Sequence, residues 1–124
     1  MTRWTVIVNP SRGGRLVRAR WCDSFVCRLR GLSLTRRLPE GEGLLLVEPR
    51  PSRMGAAIHM VGMFYALGVV WIADDGRVVD TCLARPWRIY WPSAPARFTL
   101  EAEPAILERI RSGDRLEFVD ERAA

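Results

Sequence analysis

The sequence predicts an α+β fold that is mostly β: a compact, partly open barrel-like domain with two short helices. Three observations carry this. Short runs of β-branched, aromatic and aliphatic residues recur along the 124 residues, each closed by a turn containing Gly, Pro or Asp. Asp75-Gly76 stands between two such runs, Leu67-Gly-Val-Val-Trp-Ile-Ala73 and Arg77-Val-Val-Asp-Thr-Cys-Leu83, which is a strong short-range hairpin signal because both turn positions are expected to need positive φ. Only two segments, 23–31 and 104–111, carry helix signals, and both are short.

The elements follow in order. Trp4-Thr-Val-Ile-Val-Asn9 reads as a strand, and Pro10-Ser-Arg-Gly-Gly14 as a turn. An extended 15–21 segment would place Leu16, Arg18 and Arg20 on one face and Val17, Ala19 and Trp21 on the other. Asp23 is placed to cap a helix ending at Gly31, with Phe25, Leu29 and Leu32 at helical spacing. A loop at 38–43 precedes the buried strand Leu44-Leu-Leu-Val47, which is expected to stop at Pro49 and Pro51. After the hairpin, Pro86 and Pro92 bracket Trp-Arg-Ile-Tyr-Trp. Arg97-Phe-Thr-Leu-Glu101 is a strand, Pro104 opens the second helix, and Gly113-Asp114 turns into Arg115-Leu-Glu-Phe-Val119. No internal repeat or low-complexity stretch interrupts a single domain over 1–124.

The run Met54–Ala73 is twenty residues without a charge, long enough to be weighed as a membrane span. Its second half favours a strand and runs into the Asp75-Gly76 hairpin, so a membrane partner is not expected. No N-terminal secretory signal is read, and Cys22, Cys27 and Cys82 are an odd, spaced set. Reduced thiols and a cytoplasmic location are therefore expected. Cys22, Cys27 and the single histidine make a poor zinc set, and no metal or cofactor is expected.

All nineteen basic residues are arginine, which removes lysine-based mechanisms. The charge is uneven: residues 1–37 are net +8 and residues 38–124 net −3. Arg12, Arg15, Arg18 and Arg20 are the candidate anion-binding set, for phosphates of nucleic acid or another anionic partner. The acidic remainder can also balance them within the fold.

No catalytic residue is assigned, because no nucleophile–base pair or phosphate loop is visible. His59 lies among apolar residues, with Met60 and Met63 beside it as core filler or, less plainly, thioether ligands. Glu40 and Glu42 sit on one loop and read as solvated. Cys82 reads as structural. The best binding signal is Arg85-Pro-Trp-Arg-Ile-Tyr-Trp-Pro92. If extended, Trp87, Ile89 and Trp91 share one face and Arg88 and Tyr90 the other; the Trp face is either core or a stacking surface. His59, Met60, Arg85, Trp87, Arg88, Tyr90 and Trp91 are the candidate ligand-binding residues.

Several of these stretches resemble a known family. Arg28-Leu-Arg-Gly-Leu32 and Leu38-Pro-Glu-Gly-Glu-Gly-Leu-Leu-Leu-Val47 are similar to the opening block of domain-of-unknown-function family 192. The similarity continues through Ile58, Met60 and Phe64, Asp75-Gly76-Arg77-Val78, Leu100-Glu101 and Gly113-Asp114-Arg-Leu116, over about residues 5–119. The resemblance implies a small β-rich barrel-like domain with no established activity. Arg28, Gly31, Gly43, Asp75, Gly76, Gly113 and Asp114 are taken as structural, Gly113 and Asp114 as a turn device. Family members usually carry an Asp at the position of Gly68, and often a basic residue at Val61, an Asn at Gly62 and a Met at Ser33. They also usually have a slightly longer loop, with Gly, after Glu101. The loss of those polar groups accounts for the uncharged run.

The expectation is a small binding module, holding a saccharide or similar ligand in a barrel cleft. The alternative is nucleic-acid or anionic-partner binding through the N-terminal arginines. An enzyme is the least favoured reading. The ligand, any protein partner and the oligomeric state are open.

Overall fold

The computed structural model describes residues 2–121. Among them, nine strands and one α-helix form: β1 (Trp4–Asn9), β2 (Gly14–Cys22), α1 (Phe25–Arg30), β3 (Glu42–Ser52), β4 (Ile58–His59), β5 (Leu67–Ile72), β6 (Val78–Ala84), β7 (Ile89–Tyr90), β8 (Ala96–Ala102) and β9 (Glu117–Asp120). Two 3-10 helices, Pro10–Arg12 and Pro104–Glu108, complete the set. Seven strands make one sheet in the order β6-β5-β8-β3-β2-β1-β9, antiparallel except for β2 with β3. The sheet is a curled half-barrel. An Arg77–Arg115 bridge joins its two edges at one end, flanked by Val78 N donating to Asp114 O (2.7 Å) and Leu116 N to Gly76 O (2.8 Å).

The curl sorts the apolar residues into two layers. The inner layer fills the barrel with Ile7, Val17, Leu45, Val70, Leu100 and Leu116 among others, roofed by Ile106 of the second 3-10 helix. The outer layer lies on the other face of β3, β5 and β8. It is formed by Leu44, Leu46, Val69 and Trp71 under a cover of Ala56, Ile58, Met60 and Met63. Strand side chains alternate between faces, so all six residues of β5 are buried. The uncharged run is thus two things: 67–72 is a strand covered on both faces, and 54–66 is the chain that covers it. No helix among the described residues is long and apolar enough to cross a membrane.

Several local expectations need correction. The hairpin forms between β5 and β6, but Gly76 alone has positive φ (91°), while Asp75 does not. Gly76 N donates to Ala73 O and Ala73 N to Arg77 O, giving a three-residue loop that ends in a left-handed glycine. A Cβ at Gly76 would stand 2.6 Å from Leu116 O. The cap of α1 is Ser24, whose Oγ accepts from Cys27 N at 3.1 Å. Asp23 instead accepts from the Trp21 indole at 3.3 Å. Phe25 and Leu29 project into solvent, and only Leu32 of that spacing is buried. β3 runs through Pro49 and Pro51 because its register with β8 breaks between Val47 and Ser52, where those residues owe no ladder bonds. The β1–β2 register also shifts at Ile7/Val8, an irregularity that lets Leu16 and Val17 both be buried. The second helix is a short 3-10 turn rather than an α-helix to Arg111.

The largest correction concerns the cysteines. Cys22 and Cys27 form a disulfide, with Cα atoms 5.7 Å apart. The turn from β2 into α1 folds the five-residue separation back on itself, so the two sulfurs meet. Cys82 alone is free, half-buried, and its thiol is pushed up to about 11 by burial and by Asp80.

Candidate functional site

The sequence-predicted ligand residues gather on one small ribbon. β4 and β7 pair as Ile58↔Tyr90 and His59↔Ile89, so His59 and Met60 lie against 87–91. Met60 is fully buried and helps close the outer layer. Both His59 ring nitrogens are engaged: Val61 N donates to Nδ1 (3.3 Å), which leaves Nε2–H to donate to Leu29 O (2.6 Å). His59 therefore ties α1 to the ribbon and has no lone pair left for a base. Tyr90 turns inward, with its hydroxyl accepting from Arg85 N at 2.9 Å. Trp87, Ile89 and Trp91 are exposed, and so are Arg85 and Arg88. The Trp face is thus surface and not core. Trp87 is held at φ 66°, in the left-handed region that costs a non-glycine residue about 1–3 kcal/mol. Its ring meets Phe64 edge-on at 6.2 Å.

A cleft opens beside this ribbon, between α1 and β4. It measures about 210 Å³ and is lined by Phe25, Arg28, Leu29, Glu48, Gly55, Ala57 and His59. A pocket of about 20 Å³ shares Arg28, Leu29, Ala57 and His59 with it and reaches Glu101 and Gly31. That volume admits one hydroxyl-sized group. Glu101 is the residue the sequence reading missed as a site. It alternates with Leu100 and Ala102 on β8, so it points into the outer layer, under α1. It is 3 % exposed, and its Oε1 has no hydrogen-bond partner. Burial pushes its carboxyl up to about 7. A Cβ at Gly31 would stand 3.2 Å from Oε1, so glycine there leaves room for the carboxyl.

Arg28 organises the cleft wall. Its Nη1 donates to Asp23 O (2.7 Å) and Val47 O (3.3 Å), and its Nε stands 3.4 Å from Glu48 Oε2. Glu48 is itself nearly buried; desolvation raises its carboxyl above the usual value, and Arg28 opposes that shift. The disulfide anchors the start of α1, and His59 anchors its end through Leu29.

The other candidates lie elsewhere. Arg12 pairs with Asp114 at 2.7 Å. Arg18 pairs with Glu121 and Glu42 and stacks 3.7 Å over Trp4, while Arg15 and Arg20 are exposed. Asp114 accepts from Arg12 Nε, Asn9 Nδ2 (3.0 Å) and Arg111 N (3.0 Å), which hold its carboxyl down at about 2. Gly113 has φ 95°, and its N–H donates to Val78 O. Gly43 lets β8 approach, since a Cβ there would stand 2.9 Å from Glu101 O. Asp75 Oδ1 accepts from Arg77 N. Glu40 is exposed, and Met63 is buried beside Met60. Among the described residues no group of three or more His, Cys, Asp and Glu side chains stands ready to hold a metal ion.

The DUF192 family model, described as Uncharacterized ACR, matches residues 6–118. The chain belongs to the DUF192 family. Similar relatives are a UPF0127 protein of Pyrococcus furiosus, 32 % identical over 90 % of this chain and 97 % of its own length, and one of Thermococcus sibiricus, 31 % identical over 96 % and 79 %. Two solved structures share the fold. One is a "putative transcription regulator" from Sinorhizobium meliloti (TM-score 0.83, 20 % identity, covering 95 % of this chain and 94 % of that one). The other is a protein of unknown function from Novosphingobium aromaticivorans (0.80, 21 %, 94 % and 84 %). DUF192 is an uncharacterised family, so membership brings a fold and no activity.

The family resemblance placed a usual Asp at the position of Gly68. A Cβ there would stand 2.8 Å from Ile106 Cγ2 and 2.9 Å from Glu103 O. Ala102 and Glu103 lead directly into the 3-10 helix, which sits on β5, so position 68 has no room for a larger side chain.

Proposed function

We propose that the chain is a small ligand-binding module whose site is the cleft between α1 and β4, with Glu101 as its polar anchor. The observation that carries this is the buried Glu101 carboxyl, whose Oε1 is unpartnered and faces the pocket. Leaving a buried polar atom unpaired costs about 1–3 kcal/mol, and sites that bind ligands are where such costs persist. The ligand class is a hydroxylated ring such as a saccharide. Phe25 and Leu29 at the mouth offer apolar contact to a ring face, and Glu101 and Glu48 offer oxygens to hydroxyls. The interior of the barrel, where the cleft was expected, is filled by side chains, so the support lies with the outer cleft.

The alternative through the N-terminal arginines has less support, because Arg12 and Arg18 already face carboxylates within the chain. It keeps one external argument, the name borne by the Sinorhizobium fold relative. Location is tied to the cysteines: the disulfide removes the reduced-thiol argument for a cytoplasmic protein and favours an oxidising setting.

A thermal-shift screen with neutral oligosaccharides, nucleotides and short DNA, at low and high salt, tests both readings. Stabilisation by a saccharide that survives high salt supports the cleft. Stabilisation by DNA that disappears with salt moves the site to the arginines.

A further inference from the structure

Beside the cleft, and independent of it, Leu34, Val61, Phe64, Trp87 and Ile89 all point outward, between 50 % and 72 % exposed. They belong to one face. Leu34 N donates to Gly62 O (3.0 Å), Ser33 Oγ to Val61 O (2.8 Å), Trp87 N to Met60 O (2.8 Å), and Ile89 pairs with His59. Leu34 and Trp87 are the two non-glycine residues at positive φ among the described residues, both at 66°. The backbone is held in an unfavourable region at the two points where it turns a large apolar side chain into water.

We propose that this face seats the protein on an anionic lipid surface, without crossing it. The charge around the face selects the occupant. Arg85 and Arg88 flank Trp87, and Arg36 and Arg37 lie beside Tyr65 next to Phe64; none of the four is in an ion pair among the described residues. A second copy related by a two-fold axis would bring these arginines against one another. The clefts described above lie beside the face, and the cleft of about 420 Å³ at Arg36, Arg37 and Tyr65 lies at its rim and runs away from it towards Glu103 and Pro104; none is lined by Leu34, Val61, Phe64, Trp87 or Ile89. An exposed Trp, Phe and Leu face with arginines outside any ion pair beside it matches the acyl–headgroup boundary, where tryptophan partitions and basic side chains meet lipid phosphates.

Full-length protein is sedimented with phosphatidylcholine vesicles, with and without phosphatidylglycerol, at low and high salt, while tryptophan emission is recorded. Binding to the phosphatidylglycerol vesicles is expected, weakened by salt, with a blue shift that Trp87→Phe diminishes. Arg85→Glu with Arg88→Glu should lower partitioning by at least about tenfold. Phe64→Ser with Trp87→Ser should abolish it; all four positions are exposed, and an unchanged thermal midpoint shows that these variants fold. No binding to either vesicle overturns the proposal. So does equal binding to both, or a concentration-dependent dimer that Phe64→Ser dissolves.

Discussion

The inner and outer layers of this sheet are built from the same kinds of residue but to different ends. The inner layer is closed except for a cavity of about 70 Å³ beside Leu16, Val17 and Ile106. Seven strands supply its side chains, the 3-10 helix Pro104–Glu108 roofs it, and Asp114 pins β1 to the final turn through Asn9 and Arg12. The outer layer is stapled rather than closed. A disulfide, a histidine and a two-residue ribbon hold its cover, and it contains the buried carboxyl, the two left-handed apolar residues and most of the exposed aromatics. The contrast teaches that stability is concentrated inside the curl, while most of the features that burden folding lie on the outside, where a partner can repay them; the unpartnered Asn9 Oδ1 beside Asp114 is the exception.

The largest expected effect tests the inner side. Gly68→Asp should cost at least about 3 kcal/mol, measured by denaturant unfolding, because the new side chain meets Ile106 and the Glu103 carbonyl and buries a charge. A neutral outcome would mean that the roof moves and does not close the inner layer.

The next test reads the outer side by pH. Glu101 binds its proton more tightly in the folded chain, near 7 against an ordinary 4.5. Its contribution to stability is therefore full below about 4.5 and is lost as pH rises through 7, a change of about 3 kcal/mol. Glu101→Gln should flatten that decline and make the protein about 2–3 kcal/mol more stable than wild type at pH 8. Parallel stability–pH curves for the two proteins would contradict the burial of this carboxyl.

Two smaller effects sharpen the comparison. Cys22→Ser with Cys27→Ser should cost about 2 kcal/mol by loop entropy and loosen α1, seen as faster amide exchange over Phe25–Arg30 while β5 is unaffected. Trp87→Gly should raise stability by about 1 kcal/mol, because glycine accepts φ 66° freely and the ring makes little core contact. A loss of stability there would mean that the ring supports the cover.

Local chemistry was legible in the sequence. The β5–β6 hairpin announces itself through Asp75-Gly76 between two β-rich runs, and β1 is recognisable from six consecutive residues. What depends on distant partners was not. The ribbon strands β4 and β7 are two residues each, too short for periodicity, and exist because the cover needs an edge. The disulfide depends on how sharply β2 turns into α1, which spacing alone does not reveal. His59 was visible as the only histidine, but not that both its ring nitrogens would be engaged by backbone groups of Leu29 and Val61. Glu101 was visible only as part of a family-like Leu-Glu pair. The available signal was a lone carboxylate between Leu100 and Ala102 on a strand whose two faces are both apolar.

The measurement closest to the central claim is the thermal shift given by a neutral oligosaccharide panel to the wild-type protein and to Glu101→Leu, at pH 6 and high salt. Leucine fills the same space without the oxygens, so the fold is retained. The account predicts that at least one oligosaccharide raises the midpoint of the wild type and fails to raise that of Glu101→Leu. An equal shift in both proteins, or none in the wild type with any member of the panel, would contradict it.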